Sequence, residues 1–377
     1  MDYLEPILRN QAISCYRLHP EYAPELDIYV VSTPSSRRIL NHPELVGVEF
    51  TRELKNAVAE TLRYFPDRDY YLSLHPATLS VVHFLRSGLN FGIREALYDA
   101  WGFNTQASSF ITSQRQRDQF GRWYIKDDQY RKIEIPSGVS FFIGEIVATG
   151  VTVDNGLEII FRLAKNLGRP VHNVVFFTIG CHKIEKALQK YDALLRQTFR
   201  EYRKTTLIYL EGKFHLADSR TEARLKIQGT DLMRHPALLA PEFEISQFDR
   251  LSSPLERCVI YDGGARAFDI PGYFEDLTGY WKKLLDQGKA GWTLEEALAE
   301  RWPAAEYRLS FPRFAVIKRR SWSRLERGLV KKAYRAYARR WGKTLIGKSN
   351  TSQALVDLCH RRLRELGGTV ATCQLAS

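Results

Sequence analysis

Residues 139–156 read Val139-Ser140-Phe141-Phe142-Ile143-Gly144-Glu145-Ile146-Val147-Ala148-Thr149-Gly150-Val151-Thr152-Val153-Asp154-Asn155-Gly156. The apolar run 139–143 is long enough for one buried strand, and Leu157, Ile159, Ile160, Leu163 and Leu167 then recur at helical spacing up to Gly168. Small residues join the two. A strand, a small-residue loop and a helix together make a phosphate site, because the free N–H groups of the loop and the positive end of the helix point at one spot. Thr149 and Thr152 add hydroxyl donors, and Gly150 lets the backbone come close.

The same arrangement occurs earlier in the chain. Residues 79–85 (LSVVHFL) read as a core strand, Arg86-Ser87-Gly88-Leu89 as a tight loop, and 91–101 as a helix closed by Gly102. Backbone N–H groups at Ser87 and Gly88 suit a diphosphate, and Arg86 offers a forked set of donors to it. His83, alone in its strand, reads as a core or edge residue rather than a catalyst.

These two stretches resemble the type I phosphoribosyltransferases. Residues 144–152 are similar to that family's loop for 5-phosphoribosyl diphosphate (PRPP): an apolar strand, two acidic residues, two apolar residues, then Ala/Ser-Thr-Gly-x-Thr/Ser. Glu145 fills the second acidic position and Gly144 departs from the first. Arg86-Ser87-Gly88-Leu89 resembles the Arg-Ala-Gly-Leu diphosphate loop of uracil phosphoribosyltransferases. The resemblance covers less than half of the chain. It implies Mg2+-dependent transfer of the 5-phosphoribosyl group from PRPP to a base-like nucleophile, with release of diphosphate. It also implies roles. Ala148, Thr149, Gly150, Val151 and Thr152 would hold the 5-phosphate. Glu145 would hold the ribose hydroxyls directly or through metal, and Arg86, Ser87 and Gly88 would hold the diphosphate.

Residues 113–136 are polar and cationic, with Arg115, Arg117, Arg122, Lys126, Arg131 and Lys132. A long loop inside a compact domain is usually functional or disordered. In the family such a loop closes over the substrate, and Arg115 and Arg117 would cap the diphosphate. The alternation at Tyr124 and Lys126 also suits a β-hairpin.

Further strands are expected at 106–112 and 173–180, a helix at 184–202, and a strand-turn-strand at 205–217 turning at Glu211-Gly212. Alternating strands and helices predict an α/β fold: a mostly parallel twisted sheet with helices on both faces, as in type I phosphoribosyltransferases, plus a mainly helical C-terminal region. Ligands in such sheets sit at the carboxyl ends of strands, where both loops lie. The core is expected over 67–220. Residues 1–66 are expected to form an N-terminal segment and candidate base-covering hood. Within them, 1–45 read as an irregular lead-in of short extended pieces, notably 26–32, broken by Pro20, Pro24, Pro34 and Pro43, and 48–64 as a helix. Residues 221–312 form a mixed region, a hood or second domain, in which Tyr261 and Asp262 could line a base pocket.

No run approaches the roughly 20 apolar residues that span a bilayer. The start, MDYLEPILRN, lacks a signal peptide's basic head and apolar centre. The five cysteines are scattered, without a C-x-x-C pair, as in a protein of a reducing cytoplasm. The nine histidines show no metal-ligand spacing, which disfavours a structural zinc site. The net charge of +12 attracts anions.

Much of that charge is late: residues 313–348 carry thirteen Lys or Arg and one acid, Glu326. The region 313–377 is expected to be helical. Ser323 and Glu326 form a capping-box pattern. Trp322, Leu325, Leu329, Ala333, Tyr337 and Trp341 would make one face, with Arg324, Arg327, Lys331, Arg335 and Arg339 around the other. Such a face is either solvated or binds nucleic acid. The second reading gives the alternative function, a ligand-sensing regulator on the same fold. A homodimer is a candidate assembly. Residues 342–349, from Gly342 through Lys348 to Ser349, match the triphosphate-loop pattern G-x-x-x-x-G-K-S, but after a charged helix instead of the buried strand that loop needs.

Overall fold

The computed structural model describes residues 2–21, 25–120, 123–221, 223–226, 231–256, 263–301, 310–342 and 350–375. The chain divides into two compact units, Met1–Ser36 with Thr51–Lys213, and Arg37–Phe50 with Phe214–Ser377.

In chain order the elements are β1 (Tyr3–Arg9), β2 (Ser14–His19), β3 (Asp27–Ser32), α1 (Pro34–Asn41), α2 (Gly47–Arg63), α3 (Arg68–Leu72), β4 (Leu79–Leu85), α4 (Ile93–Trp101), β5 (Ala107–Arg117), β6 (Trp123–Lys132), β7 (Val139–Val147), α5 (Val151–Asn166), β8 (Val171–Cys181), α6 (Lys183–Thr198) and β9 (Lys204–Leu216). The strands order as β1-β2-β3-β9-β8-β7-β4-β5-β6. Pairs β4/β5, β4/β7, β7/β8 and β3/β9 are parallel, and β1/β2, β2/β3 and β5/β6 are antiparallel. This is an α/β core on a mixed, mostly parallel sheet flanked by helices. The central strands are rich in apolar residues and buried on both faces because helices cover them: β7 is buried along its length but for the half-buried Ile146.

Two expectations about strands change, and one alternative is decided. Residues 1–45 are not an irregular lead-in. They add an antiparallel meander, β1-β2-β3, whose inner strand pairs with β9. Pro20 and Pro34 fall at element ends, and Pro6 sits in the outermost strand beside a register shift, where a missing N–H is tolerated. Residues 205–217 do not turn back at Glu211-Gly212. They form one strand, β9. Glu211 takes a left-handed φ of 67° there, and its buried carboxylate accepts from the Thr33 N–H at 3.1 Å and from the Ser36 hydroxyl. Bonds to the loop after β3 hold the kink inside the sheet. Residues 113–136 take the hairpin reading, as β5 and β6 pair through most of their length.

The second unit is mainly helical. After β10 (Leu232–Leu239) come α7 (Pro241–Ser246), α8 (Gly263–Phe268), α9 (Ile270–Lys289), α10 (Leu294–Arg301), α11 (Phe311–Ser321), α12 (Arg327–Tyr337) and α13 (Ser352–Leu375). Its core gathers Trp281, Leu284, Leu298, Trp341, Leu355 and Cys359. At the head of α10 the Thr293 N–H donates to the Glu296 carboxylate at 2.7 Å and the Glu296 N–H to the Thr293 hydroxyl at 3.3 Å, a reciprocal cap.

The capping box expected at Ser323 and Glu326 is not made. Glu326 is itself the residue before α12 and gives no side-chain cap, and one wide turn, Ala338–Gly342, continues the helix. The apolar face survives this: Trp322, Leu329, Ala333, Tyr337 and Trp341 are all buried. Tyr261, Asp262 and all but Gly342 of the triphosphate-loop pattern lie outside the described residues.

Candidate active site

β4 and β7 run side by side in parallel, with Leu79 opposite Ser140 and Val82 opposite Ile143. The chain segments that leave their carboxyl ends are therefore neighbours, and side chains join them. The Ser87 hydroxyl donates to Glu145 Oε1, which also accepts the Ile146 N–H at 3.0 Å. From β8, the Thr178 hydroxyl donates to the Glu145 carbonyl at 2.8 Å. Glu145 is buried, so its carboxylate is held in place by the Ser87 hydroxyl and the Ile146 N–H and not by solvent. Gly88 packs under it: a Cβ there would stand 3.2 Å from the Gly144 carbonyl and 3.4 Å from the His83 backbone.

Gly144, where the family pattern has an acid, is shaped by packing. A Cβ at 144 would stand 2.5 Å from Cγ and 2.7 Å from Cβ of Phe91. Phe91 closes the short helical turn Ser87–Phe91 that follows Arg86 and is fully buried. Its ring fills the space a carboxylate at 144 would need.

The second loop ends on Gly150, at φ 79°, and α5 starts at Val151. The Gly150 carbonyl accepts the Asp154 N–H at 2.9 Å, so the N–H groups of Val151, Thr152 and Val153 come before the first intrahelical donor. Asp154, an acid in this first turn, is neutralised by Lys190 at 3.0 Å. Asn155 Nδ2 donates to the Ser113 hydroxyl of β5 at 3.1 Å, which ties the helix start to the hairpin. At the other end of the turn, Gly156 faces the Phe84 ring with no room for a side chain.

The third neighbouring strand end supplies residues that the sequence reading missed. The Cys181 thiol donates to the Ala148 carbonyl at 3.2 Å. A Cβ on Gly150 would lie 3.4 Å from Lys183 Cβ, so the first residue of α6 flanks the loop with a cation. The available signal was Gly180-Cys181-His182-Lys183, a strand-to-helix junction on a parallel neighbour. Burial pushes the Cys181 thiol up to about 11, which keeps it protonated and unfit as a nucleophile near neutral pH.

Arg86 is exposed at the mouth of the first loop. Arg115 and Arg117 lie on β5 opposite Ile125 and Trp123; their side chains are outside the described set. His83 is a core residue: its ring stacks on Phe110 at 5.0 Å, and burial holds its pKa below the ordinary value.

Among the described residues no group of three or more His, Cys, Asp or Glu could hold a metal. Glu145 is the one carboxylate in 86–92 and 144–152. This donor set suits an ion that arrives with a diphosphate and keeps phosphate and water ligands, not one caged by protein.

Several solved structures are similar to part of the chain. A hypoxanthine phosphoribosyltransferase from Staphylococcus aureus is 14% identical over 44% of this chain and 76% of its own, with a TM-score of 0.24. Hypoxanthine phosphoribosyltransferase from Trypanosoma cruzi, complexed with the product IMP, is 17% identical over 42% of this chain and 76% of its own, with a TM-score of 0.24. The same protein in a ternary substrates complex is 16% identical over 46% and 88%, with a TM-score of 0.25. No protein-family model matches the chain, and no curated protein matches it significantly. The functional reading rests on the site residues themselves.

Proposed function

We propose that the chain is a phosphoribosyltransferase that moves the 5-phosphoribosyl group of PRPP to a base-like nucleophile and releases diphosphate. The observation that carries this reading is the Ser87–Glu145 bond, which locks together two strand–loop–helix phosphate motifs at adjacent strand ends. In this reading the N–H groups at the head of α5, with Thr149 and Thr152, take the 5-phosphate. Glu145 takes a ribose hydroxyl. Arg86 and the backbone at Ser87 and Gly88 take the diphosphate, with Arg115 and Arg117 of β5 as the capping cations. Lys183 adds a cation beside the phosphate loop.

The bond from the ribose anomeric carbon to the diphosphate oxygen breaks, and its electron pair leaves with diphosphate. A nucleophile nitrogen forms the new bond and releases its proton to solvent. Mg2+ would neutralise charge on the diphosphate, held by that group and water, with Glu145 near it. Rate then comes from positioning and charge stabilisation, so no side-chain nucleophile is required.

The test is an assay of diphosphate release from PRPP and Mg2+ against a panel of purine and pyrimidine bases. Release with at least one base is expected, and Glu145→Gln should slow it on the order of a hundredfold, as for loss of one charge-stabilising group. PRPP bound without turnover on any base would favour a second reading, a ligand sensor. That reading is supported by α12, where Arg327, Lys331, Lys332 and Arg335 are exposed while Leu329, Ala333 and Tyr337 are buried, leaving a cationic face suited to nucleic acid.

A further inference from the structure

The first unit also carries a cavity of about 710 Å3 away from both loops. Four of the residues that line it, Ala77, Gln106, Pro136 and Arg169, stand just before β4, β5, β7 and β8. The cavity therefore opens at the amino ends of the parallel strands, whereas the two loops leave the carboxyl ends. The seven residues of β4 set the two edges roughly 20 Å apart at about 3.3 Å per residue. The volume is within the range of roughly 300–1,000 Å3 typical of small-molecule sites.

Its chemistry is specific. Three cations, Arg94, Lys132 and Arg169, surround it against one acid, Glu134, and none of the three is ion-paired with a described residue. Inside, Gln106 is 6% exposed. Its amide nitrogen donates to the Arg94 carbonyl at 3.1 Å and the Phe103 carbonyl at 3.4 Å, which fixes the orientation of the amide. Among the described residues, nothing donates to the amide oxygen, which is buried, and the nearby Ser108 hydroxyl is likewise buried without a partner. A buried acceptor left unmet is destabilising, and a ligand donor would recover that loss. Phe110, also in the lining, has its ring backed by His83 at 5.0 Å and offers a fixed aromatic surface.

We propose that this cavity is a second ligand site, for a phosphate monoester joined to a hydrogen-bonding heterocycle, the chemistry of a nucleoside 5-monophosphate. The heterocycle lies against Phe110 and donates to the Gln106 amide oxygen. The phosphate meets Arg94, Lys132 and Arg169 at the rim. This site is independent of the reaction proposed for the loops.

The experiment is calorimetric titration of the full chain at low salt with AMP, UMP and inorganic phosphate. At least one nucleotide should bind more tightly than inorganic phosphate. Lys132→Glu and Arg169→Glu, both at exposed positions, should each weaken it tenfold or more. Gln106→Leu should weaken the nucleotide and leave inorganic phosphate unchanged; because a nucleotide would also fit the loops of the proposed function, each titration is made on the Thr152→Val background. The proposal is overturned if neither nucleotide binds at millimolar concentration, or if inorganic phosphate binds as tightly as both. Affinity indifferent to the two charge reversals would equally overturn it, because the nucleotide would then sit elsewhere.

Discussion

Gly144 and Phe91 define the most distinctive feature of the candidate site. Restoring an acid at 144 would drive its Cβ to within 2.5 Å of the Phe91 ring. Gly144→Asp is therefore expected to destabilise the protein by about 3 kcal/mol or more, through overpacking and a buried charge. Phe91→Ala alone should cost about 3–5 kcal/mol for the cavity it leaves. The double variant should be less destabilised than the sum, because the new side chain enters the vacated space. Urea unfolding of the four proteins measures this coupling, and simple additivity would show that the ring does not exclude the acid. Glu145 and the two loops were legible in the sequence because each motif is local. The exclusion at 144 was not, because the blocking ring comes from a turn more than fifty positions away. Lys183 was missed for the same reason, since its place beside Gly150 depends on β7 and β8 being neighbours.

At the scale of elements, the buried strands announced themselves and the two outermost ones did not. β7 and β8 each carry a core of consecutive apolar residues, 141–143 and 174–177, whose reading needs no partner, and 26–32, which becomes β3, was legible as an extended piece. β1 and β2 are short, lie among prolines, and become strands by pairing, while the kink in β9 needs Thr33 and Ser36 to hold Glu211.

In α13, Arg362 shows how a charged residue becomes core. Its guanidinium is 1% exposed and bonds Glu256 at 3.0 Å, Glu44 at 2.9 Å and Glu365 at 3.1 Å. Burial alone would raise the Glu44 pKa, but the bond from His42 and the charges of Arg362 and Arg250 hold it well below its ordinary 4.5. A carboxylate with a lowered folded pKa stabilises the fold above its unfolded value, and that stability fades as pH falls through the folded one. Arg362→Met should cost about 3–5 kcal/mol at pH 7 by stranding buried carboxylates. It should also shrink the loss of stability that the wild type shows below pH 4.5. Tryptophan fluorescence during urea unfolding at several pH values reads both, and parallel pH profiles for the two proteins would refute the linkage.

For the whole molecule, the first unit carries the two strand–loop–helix motifs and the second carries α12 with its cationic face. The net charge of +12 favours anionic ligands in general, so affinity for a phosphate compound means little unless it depends on particular residues. The central claim is that PRPP sits at the head of α5. Calorimetric titration with PRPP and Mg2+, on the wild type and on Thr152→Val and Lys183→Glu, tests it most directly. Thr152 and Lys183 are partly or fully exposed, so both variants should fold. The account predicts saturable binding by the wild type, weakened about tenfold by Thr152→Val and more by Lys183→Glu. No binding at millimolar PRPP, or binding indifferent to both substitutions, would contradict it.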